Sequence, residues 1–281
     1  MVILDSNTKL TVLHNASGVF TDYTRDCFDF SRDTATITIA TSTGYLYIGF
    51  SKPFNSVYID LTTPNTNAAT LSMDYWNGTS YSSLAGAYDD TKGFTRSGFI
   101  TWNRNQTNQV ANSVNSTSLY WIRLTPSATT SATVFTGISF LFADDQDLKT
   151  EVPEIADSNH LAGKTSHILT HMAVRNQIIQ DLRNKDYTTT NETTGLKQDL
   201  TVWDILDANQ LKQSAIYLAL SKIYFNFSDA PEDVYSIKSA KYYSKYEKAL
   251  ALARISIDSD NDGESDDFET LKEFKNIRIT R

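Results

Sequence analysis

The sequence lacks the features that mark a secreted or membrane-spanning protein. The 281-residue chain has a single cysteine, Cys27. It cannot form an internal disulfide, which predicts a protein made in a reducing cytoplasm. No run of 18 or more apolar residues occurs, so no membrane-spanning helix is expected. The first ten residues, MVILDSNTKL, contain neither a basic segment nor a long apolar stretch, so no secretory leader is predicted.

Positive charge is scarce as well. The chain has 25 Lys and Arg against 33 Asp and Glu, for a formal net charge of −8. Affinity for nucleic acid through phosphate neutralisation requires clustered Lys and Arg, and the sequence contains no such cluster. The composition therefore argues against a nucleic-acid-binding protein.

No catalytic motif is recognisable. The chain lacks a glycine-rich phosphate loop, a G-x-S-x-G elbow and a C-x-x-C pair. The carboxylate pairs Asp89-Asp90 and Asp144-Asp145 are adjacent in sequence, whereas glycosidase chemistry needs two carboxylates that converge across a cleft. Cys27 has no sequence sign of activation and is expected to be a small buried side chain. The sequence predicts no enzyme.

Glutamate is absent before Glu151 and common after it. The first part of the chain is rich in Thr, Ser, Asn and aromatic residues, which favour strands and turns. The second part is rich in Lys, Glu, Gln, Leu and Ala, which favour helices. We therefore predict an α+β multidomain protein with one domain over residues 1–150 and a second over 151–281.

Apolar residues in the first part alternate with polar ones. Ile37 and Ile39 alternate with threonines, while YLYIGF and LYWIRL are denser, as in central strands covered on both faces. Asn77-Gly78 is typical of a two-residue hairpin turn. Short strands at this spacing predict an antiparallel β-sandwich of jelly-roll type.

The second part predicts a helical bundle with three long helices. The first is expected from about Ser158 to Arg183. The second is expected to start at a capping box formed by Thr201 and Asp204, and to lie at the bundle centre because its last third is apolar on all sides. Pro231 is expected in the first turn of the third helix, which carries a stripe of tyrosines. The polar segment between the first two helices is expected to be a loop or hairpin.

The sharpest local motif is DSDNDGESDDFE, residues 258–269, which fits the calcium-loop pattern D-x-[DN]-x-[DN]-G-x5-E. Carboxylates, one backbone carbonyl and a closing bidentate glutamate would bind Ca²⁺ in a structural role, and the predicted ligands are Asp258, Asp260, Asp262, Glu264, Asp266 and Glu269. Ser265 stands where paired EF-hands have an aliphatic residue, which favours a lone loop. A solvated acidic turn without metal is the alternative.

Two further sets of residues have both a functional and a structural interpretation. His160, His167 and His171 have a spacing that can place imidazoles on one helix face for zinc, but capping, core packing or surface exposure is the favoured interpretation. Trp76, Tyr81, Trp102, Tyr120 and Trp121 could be exposed sugar platforms, but burial in a sandwich core is favoured because aromatic rings remove large apolar areas from water.

Four segments of the first part resemble a β-sandwich module of tailed-bacteriophage structural proteins. They are a Tyr-Trp-Asn-Gly hairpin at Tyr75 to Gly78, an Asp-x-Thr turn at Asp89 to Thr91, a strand at Ser97 to Trp102 and a Tyr-Trp-x-Arg strand at Tyr120 to Arg123. The helical part, with its Tyr-rich last helix, resembles the head-to-tail connector (adaptor, or neck) proteins of such phages.

The resemblance implies a non-enzymatic virion component at the head–tail junction, made in the cytoplasm of the host bacterium. Such proteins assemble as a homo-oligomeric ring, commonly twelvefold, between the portal protein and the tail or nozzle proteins, and DNA is only passing cargo. The C-terminal segment from Phe274 to Arg281 is expected to be an arm that docks on a neighbouring protein.

Two alternatives remain open. In one, the sandwich is a tail-associated module that binds host-surface glycan, and the bundle anchors it to the tail. In the other, the chain is a carbohydrate-binding protein of the bacterial surface, against which the missing leader counts.

Overall fold

The computed structural model describes residues 10–28, 34–104, 106–161, 164–190 and 195–258. The chain divides into two compact units, Met1–Asp144 and Asp145–Arg281. The composition predicts a boundary near residue 150, a few residues from this division. Described strands of the first unit pair antiparallel, and the long helices belong to the second unit, so the protein is mixed α and β with its helices towards the C-terminus.

In the described part of the first unit, twelve strands form two antiparallel sheets. One has the order β2-β1-β4-β11-β6-β7, with β10 also paired to β11, and the other has the order β3-β12-β5-β9-β8. The strands are β1 Thr11–Ala16, β2 Val19–Asp22, β3 Ala35–Ile37, β4 Gly44–Phe50, β5 Ser56–Thr63, β6 Leu71–Trp76, β7 Tyr81–Ser83, β8 Tyr88–Asp89, β9 Gly98–Thr101, β10 Asn112–Val114, β11 Thr117–Pro126 and β12 Thr133–Ser139.

The dense apolar segments YLYIGF and LYWIRL form neighbouring strands, β4 and β11, inside the larger sheet. Their side chains alternate between the two faces, and both faces hold buried residues: Ile48 and Ile122 on one, Tyr47 and Trp121 on the other. Gly49 lies opposite Trp121, and a Cβ at Gly49 would stand 2.4 Å from the indole ring. The glycine is needed because the ring lies directly over the backbone.

The hairpin predicted at Asn77-Gly78 is present, but its loop has four residues rather than two. Trp76 pairs with Tyr81, so residues 77–80 form the turn. The Asn77 side-chain oxygen accepts hydrogen bonds from the backbone N–H groups of Thr79 and Ser80, at 3.0 and 2.9 Å. This side-chain bonding stabilises a longer turn than the Asn-Gly pair alone predicts.

Asn65 joins three loops of the first unit. Its amide nitrogen donates to the carbonyls of Asn67 and Gly93, at 2.8 and 2.9 Å, and its amide oxygen accepts from the backbone N–H of Ser131 at 2.9 Å. The side chain is almost completely buried. Gly93 has φ +70°, and a Cβ there would lie 2.1 Å from the carbonyl oxygen of Ala69, so these loops approach closely.

The second unit is built mainly from helices. They are α1 Asp145–Glu151, α2 Ser158–Leu161, α3 Ile168–Arg183, α4 Asn209–Asn226 and α5 Val234–Leu252, with 3-10 turns at Pro153–Ala156 and Val202–Asp204. The polar segment between α3 and α4 contains a hairpin of β13 Thr188–Thr190 and β14 Lys197–Asp199. Helix α4 contacts α1, α3 and α5, in agreement with its predicted central place.

The prediction of one helix from Ser158 to Arg183 is wrong. Helix α2 ends at Leu161 and α3 begins at Ile168. The backbone N–H of His167 donates to the Asp145 carboxylate, with distances of 3.2 and 3.1 Å to its two oxygens. A carboxylate that accepts from an N–H at the helix start stabilises a new N-terminus there.

The capping box at Thr201 and Asp204 forms, but it does not open α4. The hydroxyl of Thr201 donates to the Asp204 carboxylate at 2.6 Å over a single 3-10 turn. The next residues are held by residues 255–258: Ile205 bridges Ile257, and the N–H of Leu206 donates to the carbonyl of Ser256. Because the backbone groups of Ile205 and Leu206 are paired with residues 256 and 257 and not within a helix, α4 starts only at Asn209.

Helix α5 begins after Pro231 rather than around it. Its N-cap is Asp233, whose carboxylate accepts from the backbone N–H of Ser236 at 2.6 Å. The predicted tyrosine stripe faces α4: the rings of Tyr235 and Tyr242 stack on Tyr224, with centroids at 6.3 and 5.7 Å. Tyr246 is buried, and its hydroxyl donates to Asp181 of α3.

Among the described residues, no helix combines the length and hydrophobicity that crossing a membrane requires.

Candidate functional site

Of the predicted calcium ligands, only Asp258 lies within the described residues. Its side chain is completely buried, and its backbone N–H donates to the carbonyl of Asp204 at 2.9 Å. The remaining ligands, Asp260, Asp262, Glu264, Asp266 and Glu269, lie outside the described residues, as does the predicted arm from Phe274 to Arg281. The calcium site therefore stays a prediction. The residue at its first position, Asp258, is hydrogen-bonded to the helical unit.

The histidines with zinc-like spacing have structural partners. His171 Nε2 lies 2.9 Å from Asp145 Oδ1, and His167 Nε2 lies 3.0 Å from the carbonyl oxygen of Ile155. Both rings are buried, while His160 contacts Phe227 edge-on. Within the described ranges, no three His, Cys, Asp or Glu side chains converge as a metal site. Core packing is the role that the geometry gives His167 and His171.

Asp145 ties the start of α1 to the start of α3. Burial alone would raise the pKa of its carboxyl group, but hydrogen bonds from His171 and from the His167 N–H outweigh burial and hold the pKa below its ordinary value. An ion pair, Lys212 Nζ to Asp147 at 2.6 Å, joins α1 to α4. These pairs fix α1 against the helices and require no ligand.

The aromatic residues divide between the two interpretations. Trp102 and Trp121 are buried, as favoured, and their indole N–H groups donate to the carbonyls of Phe54 and Asn112. Trp76, Tyr81 and Tyr120 are only partly buried. Tyr120 lies on one face of the larger sheet, whereas Trp76 and Tyr81 lie on the opposite face, which carries Trp121 and therefore presents some aromatic surface.

A cation lies among the tyrosines of that face. The Arg123 guanidinium carbon is 3.9 Å from the ring centroid of Tyr81 and 5.0 Å from that of Tyr45. Arg123 also donates to Asp74 at 2.8 Å. Burial raises the pKa of Tyr47, which packs beside them, so its hydroxyl stays neutral. The arrangement offers hydrogen-bond donors and acceptors beside partly exposed rings.

Cys27 and the adjacent aspartates have structural roles. Cys27 is buried, and burial raises the pKa of its thiol to about 12, which keeps it protonated and unreactive at neutral pH. Asp89 accepts from the N–H groups of Thr91 and Gly93, and Asp90 pairs with Arg96. These carboxylates hold a turn together.

A groove of about 940 Å³ lies on the helical unit. Its floor is α4, and its walls are α3 on one side and α5 on the other. The described lining residues are Leu169, Thr170 and Ala173 of α3, Leu218, Ser221, Lys222, Phe225 and Asn226 of α4, the connection Ser228, Asp229, Ala230 and Pro231, and Ser236, Ser239, Ala240 and Tyr243 of α5. The lining is mainly apolar, so water is a poor occupant.

Large apolar side chains stand exposed along this groove. Phe225 is 70% exposed, Leu169 50% and Tyr243 46%. Their exposure follows from the helix arrangement: Leu169 of α3, Phe225 of α4 and Tyr243 of α5 border the space that the three helices leave beside the last turns of α4. The sequence signal for the groove is the all-round apolar character of α4, which predicts its central place but not the space beside its last turns.

Comparisons with known proteins do not assign the chain to a family. No family model matches it, and no curated protein matches it. Among solved structures, the chain is similar to a family 89 glycoside hydrolase from Clostridium perfringens in complex with 2-acetamido-1,2-dideoxynojirmycin, with 10% identity and a TM-score of 0.30. That match covers 62% of this chain and 20% of the hydrolase, so the chain spans about a fifth of its length. A likeness this weak supports no functional assignment.

Proposed function

We propose that the chain is a structural subunit of a tailed-phage virion, a head-to-tail adaptor or neck protein that forms a ring between the portal and the tail. The observation that carries the proposal is the open apolar groove over α4. A subunit that works alone gains nothing from exposing Phe225, Leu169 and Tyr243, whereas a subunit of an assembly buries such a surface against its neighbour.

The first unit fits the jelly-roll-like sandwich expected of the phage module. Its two sheets each have a buried apolar face, with Leu46 and Ile48 on the larger sheet and Val57 and Ile59 on the smaller one. The four segments that carry the resemblance lie on β6 with the hairpin turn that follows it, β8 with its following turn, β9 and β11. In the proposed ring, the net charge of −8 lets DNA pass without adhesion.

The mass of the assembled protein tests the proposal. Mass photometry or native mass spectrometry of the full chain, alone and with the portal protein of a candidate phage, should show a closed ring, and electron microscopy should place it at the head–tail junction. A protein that remains monomeric with and without the portal, or a trimer at the distal end of the tail, contradicts the adaptor function.

A second candidate is a tail-associated module that binds host-surface glycan. It is favoured by the Arg123–Asp74 pair, which lies beside the partly buried rings of Tyr45 and Tyr81. Sugar hydroxyls bond to charged side chains, while the apolar face of a sugar ring packs on an aromatic ring. Binding of purified host cell-wall polysaccharide that is lost in Tyr81→Ala and kept in Tyr88→Ala, an exposed tyrosine of the other sheet, supports this candidate. No binding by the wild-type chain rejects it.

A further inference from the structure

We propose that the groove over α4 receives the exposed edge of α5, formed by Val234 and Ile237, from a second copy of this chain. The proposal rests on the ring-forming function above and specifies how one subunit contacts the next. The argument uses the shape of the groove, the position of the edge and the charges around both.

The groove has the shape of a seat for a helix. Small, exposed side chains stand along it, with Ala173 on α3 and Ala240 on α5, and they permit close approach. The larger side chains of Leu169, Phe225 and Tyr243 also line it and supply apolar contact area. Helices pack when a ridge of side chains on one enters a groove on the other.

The complementary ridge lies on another side of the same unit. Val234 is 65% exposed and Ile237 is 61% exposed, and residues three apart on a helix share one side. At about 100° per residue, this side is roughly opposite Ser239, the buried residue of α5 that lines the groove. Neither Val234 nor Ile237 lines the groove. One copy therefore has a concave and a convex apolar surface that cannot cover each other.

Charges near the two surfaces are complementary. The groove is lined by one cation and one anion, Lys222 and Asp229. The convex edge is flanked in sequence by Glu232 and Lys241, both exposed. A docked edge can pair Lys222 with Glu232 and Asp229 with Lys241. Pairs of this kind set the register of an interface more than its strength.

The symmetry of the assembly follows from this pairing. The contact joins two different surfaces, so it is heterologous, and every copy keeps one free surface for the next copy. Repetition of such a contact gives a ring when the rotation between copies closes and an open filament when it does not, and the proposed function requires the closed form. A two-fold dimer would need a surface that contacts itself.

Cysteine crosslinking tests the contact directly. Cys27 is the chain's single cysteine and is buried, so cysteines introduced at exposed Ile237 of α5 and exposed Ala173 of α3 are the accessible thiols. The double variant Ile237→Cys, Ala173→Cys should give a ladder of disulfide-linked multimers under mild oxidation, because position 237 of one copy lies beside position 173, in the groove of the next. Each single variant should stay uncrosslinked.

A charge variant supplies the second measurement. Ile237→Glu should weaken association of the full chain by about tenfold or more, because it removes apolar burial and places a charge in the groove. Leu252→Glu is the matched control: Leu252 is an exposed apolar residue near the other end of α5, and its substitution should leave association unchanged. Circular dichroism confirms that each variant is folded.

The outcomes separate this contact from the proposed function. A ladder confined to the double variant, together with weaker association of Ile237→Glu, supports the contact. Dimers from a single cysteine variant indicate a two-fold interface and overturn it. A ring that forms without crosslinks and tolerates Ile237→Glu overturns the contact but leaves the adaptor function standing. A chain that is monomeric alone and with the portal overturns both.

Discussion

Single residues of the first unit stabilise its fold through hydrogen bonds more than through ion pairs. Asn65 is the clearest case, because one buried amide group satisfies backbone groups of three loops. Removal of such a side chain leaves several buried donors and acceptors without partners, and each unsatisfied group costs free energy.

We therefore predict that Asn65→Ala lowers the free energy of unfolding by about 2–3 kcal/mol. Asn67→Ala is the matched control: Asn67 is exposed, and its side-chain nitrogen donates to one carbonyl only, that of Thr129. The control should cost less than about 1 kcal/mol. Urea unfolding followed by tryptophan fluorescence measures both, and equal losses would contradict the role of Asn65.

At the scale of one helix, Asp233 sets where α5 begins. The pKa of its carboxyl group is held below the ordinary value, first by the hydrogen bond from the Ser236 N–H and further by those from Asp229 and Ala230. A folded pKa below the unfolded one means that the charged form stabilises the fold. This stabilisation is present above about pH 4 and is lost as the pH falls through the folded pKa.

We predict that the wild type melts at a higher temperature than Asp233→Asn at pH 7, and that the gap closes below about pH 4. Asparagine keeps a capping oxygen without the charge, so the difference in melting temperature between the two proteins measures the effect of the carboxylate charge. Asp229→Asn serves as control, since Asp229 joins the cap through its backbone N–H. Thermal unfolding followed at 222 nm measures the gap, and a gap that does not change with pH contradicts the assignment.

The acidic loop is the next element to test. One calcium ion per chain should bind in isothermal titration calorimetry, with a dissociation constant on the order of 10⁻⁵ to 10⁻³ M by analogy with the weaker calcium loops. Asp258→Ala and Glu269→Ala should abolish the binding heat. Asp199→Ala, at an exposed aspartate on β14, should leave it unchanged. The absence of heat and of a thermal shift at millimolar calcium in the wild type indicates a solvated turn.

The accuracy of sequence prediction differs between elements for physical reasons. Periodicity reports burial, and it identifies β4, β11 and the central position of α4. Element boundaries depend on partners distant in sequence, which periodicity does not contain. Asp145 fixes the start of α3, and residues 255–258 delay α4 until Asn209. The sequence does not predict the groove for the same reason. The apolar pattern of α4 predicts that this helix is buried, but not where the neighbouring helices leave a space beside it.

At the scale of the whole chain, the two units each contain their own core. Ile48 and Ile59 are completely buried in the first unit, and Leu211 and Leu220 in the second. Separate cores of this size are typical of units that fold independently.

We predict that residues 1–144 and 145–281, expressed separately, each give a soluble protein with a cooperative unfolding transition. Far-ultraviolet circular dichroism should show strands in the first fragment and helices in the second. If either fragment lacks a cooperative transition while the full chain has one, the two units depend on each other for folding.

Several of the bonds that join the loops of the first unit are made by uncharged groups. Besides Asn65, the hydroxyl oxygens of Thr130, Ser131 and Ser127 accept from the backbone N–H groups of Ile39, Thr66 and Thr70. Amides and hydroxyls do not titrate between roughly pH 3 and pH 10, and dissolved ions screen charges rather than such short neutral bonds. The contacts that these four side chains make between loops should therefore persist in fresh water, in brine and in mild acid.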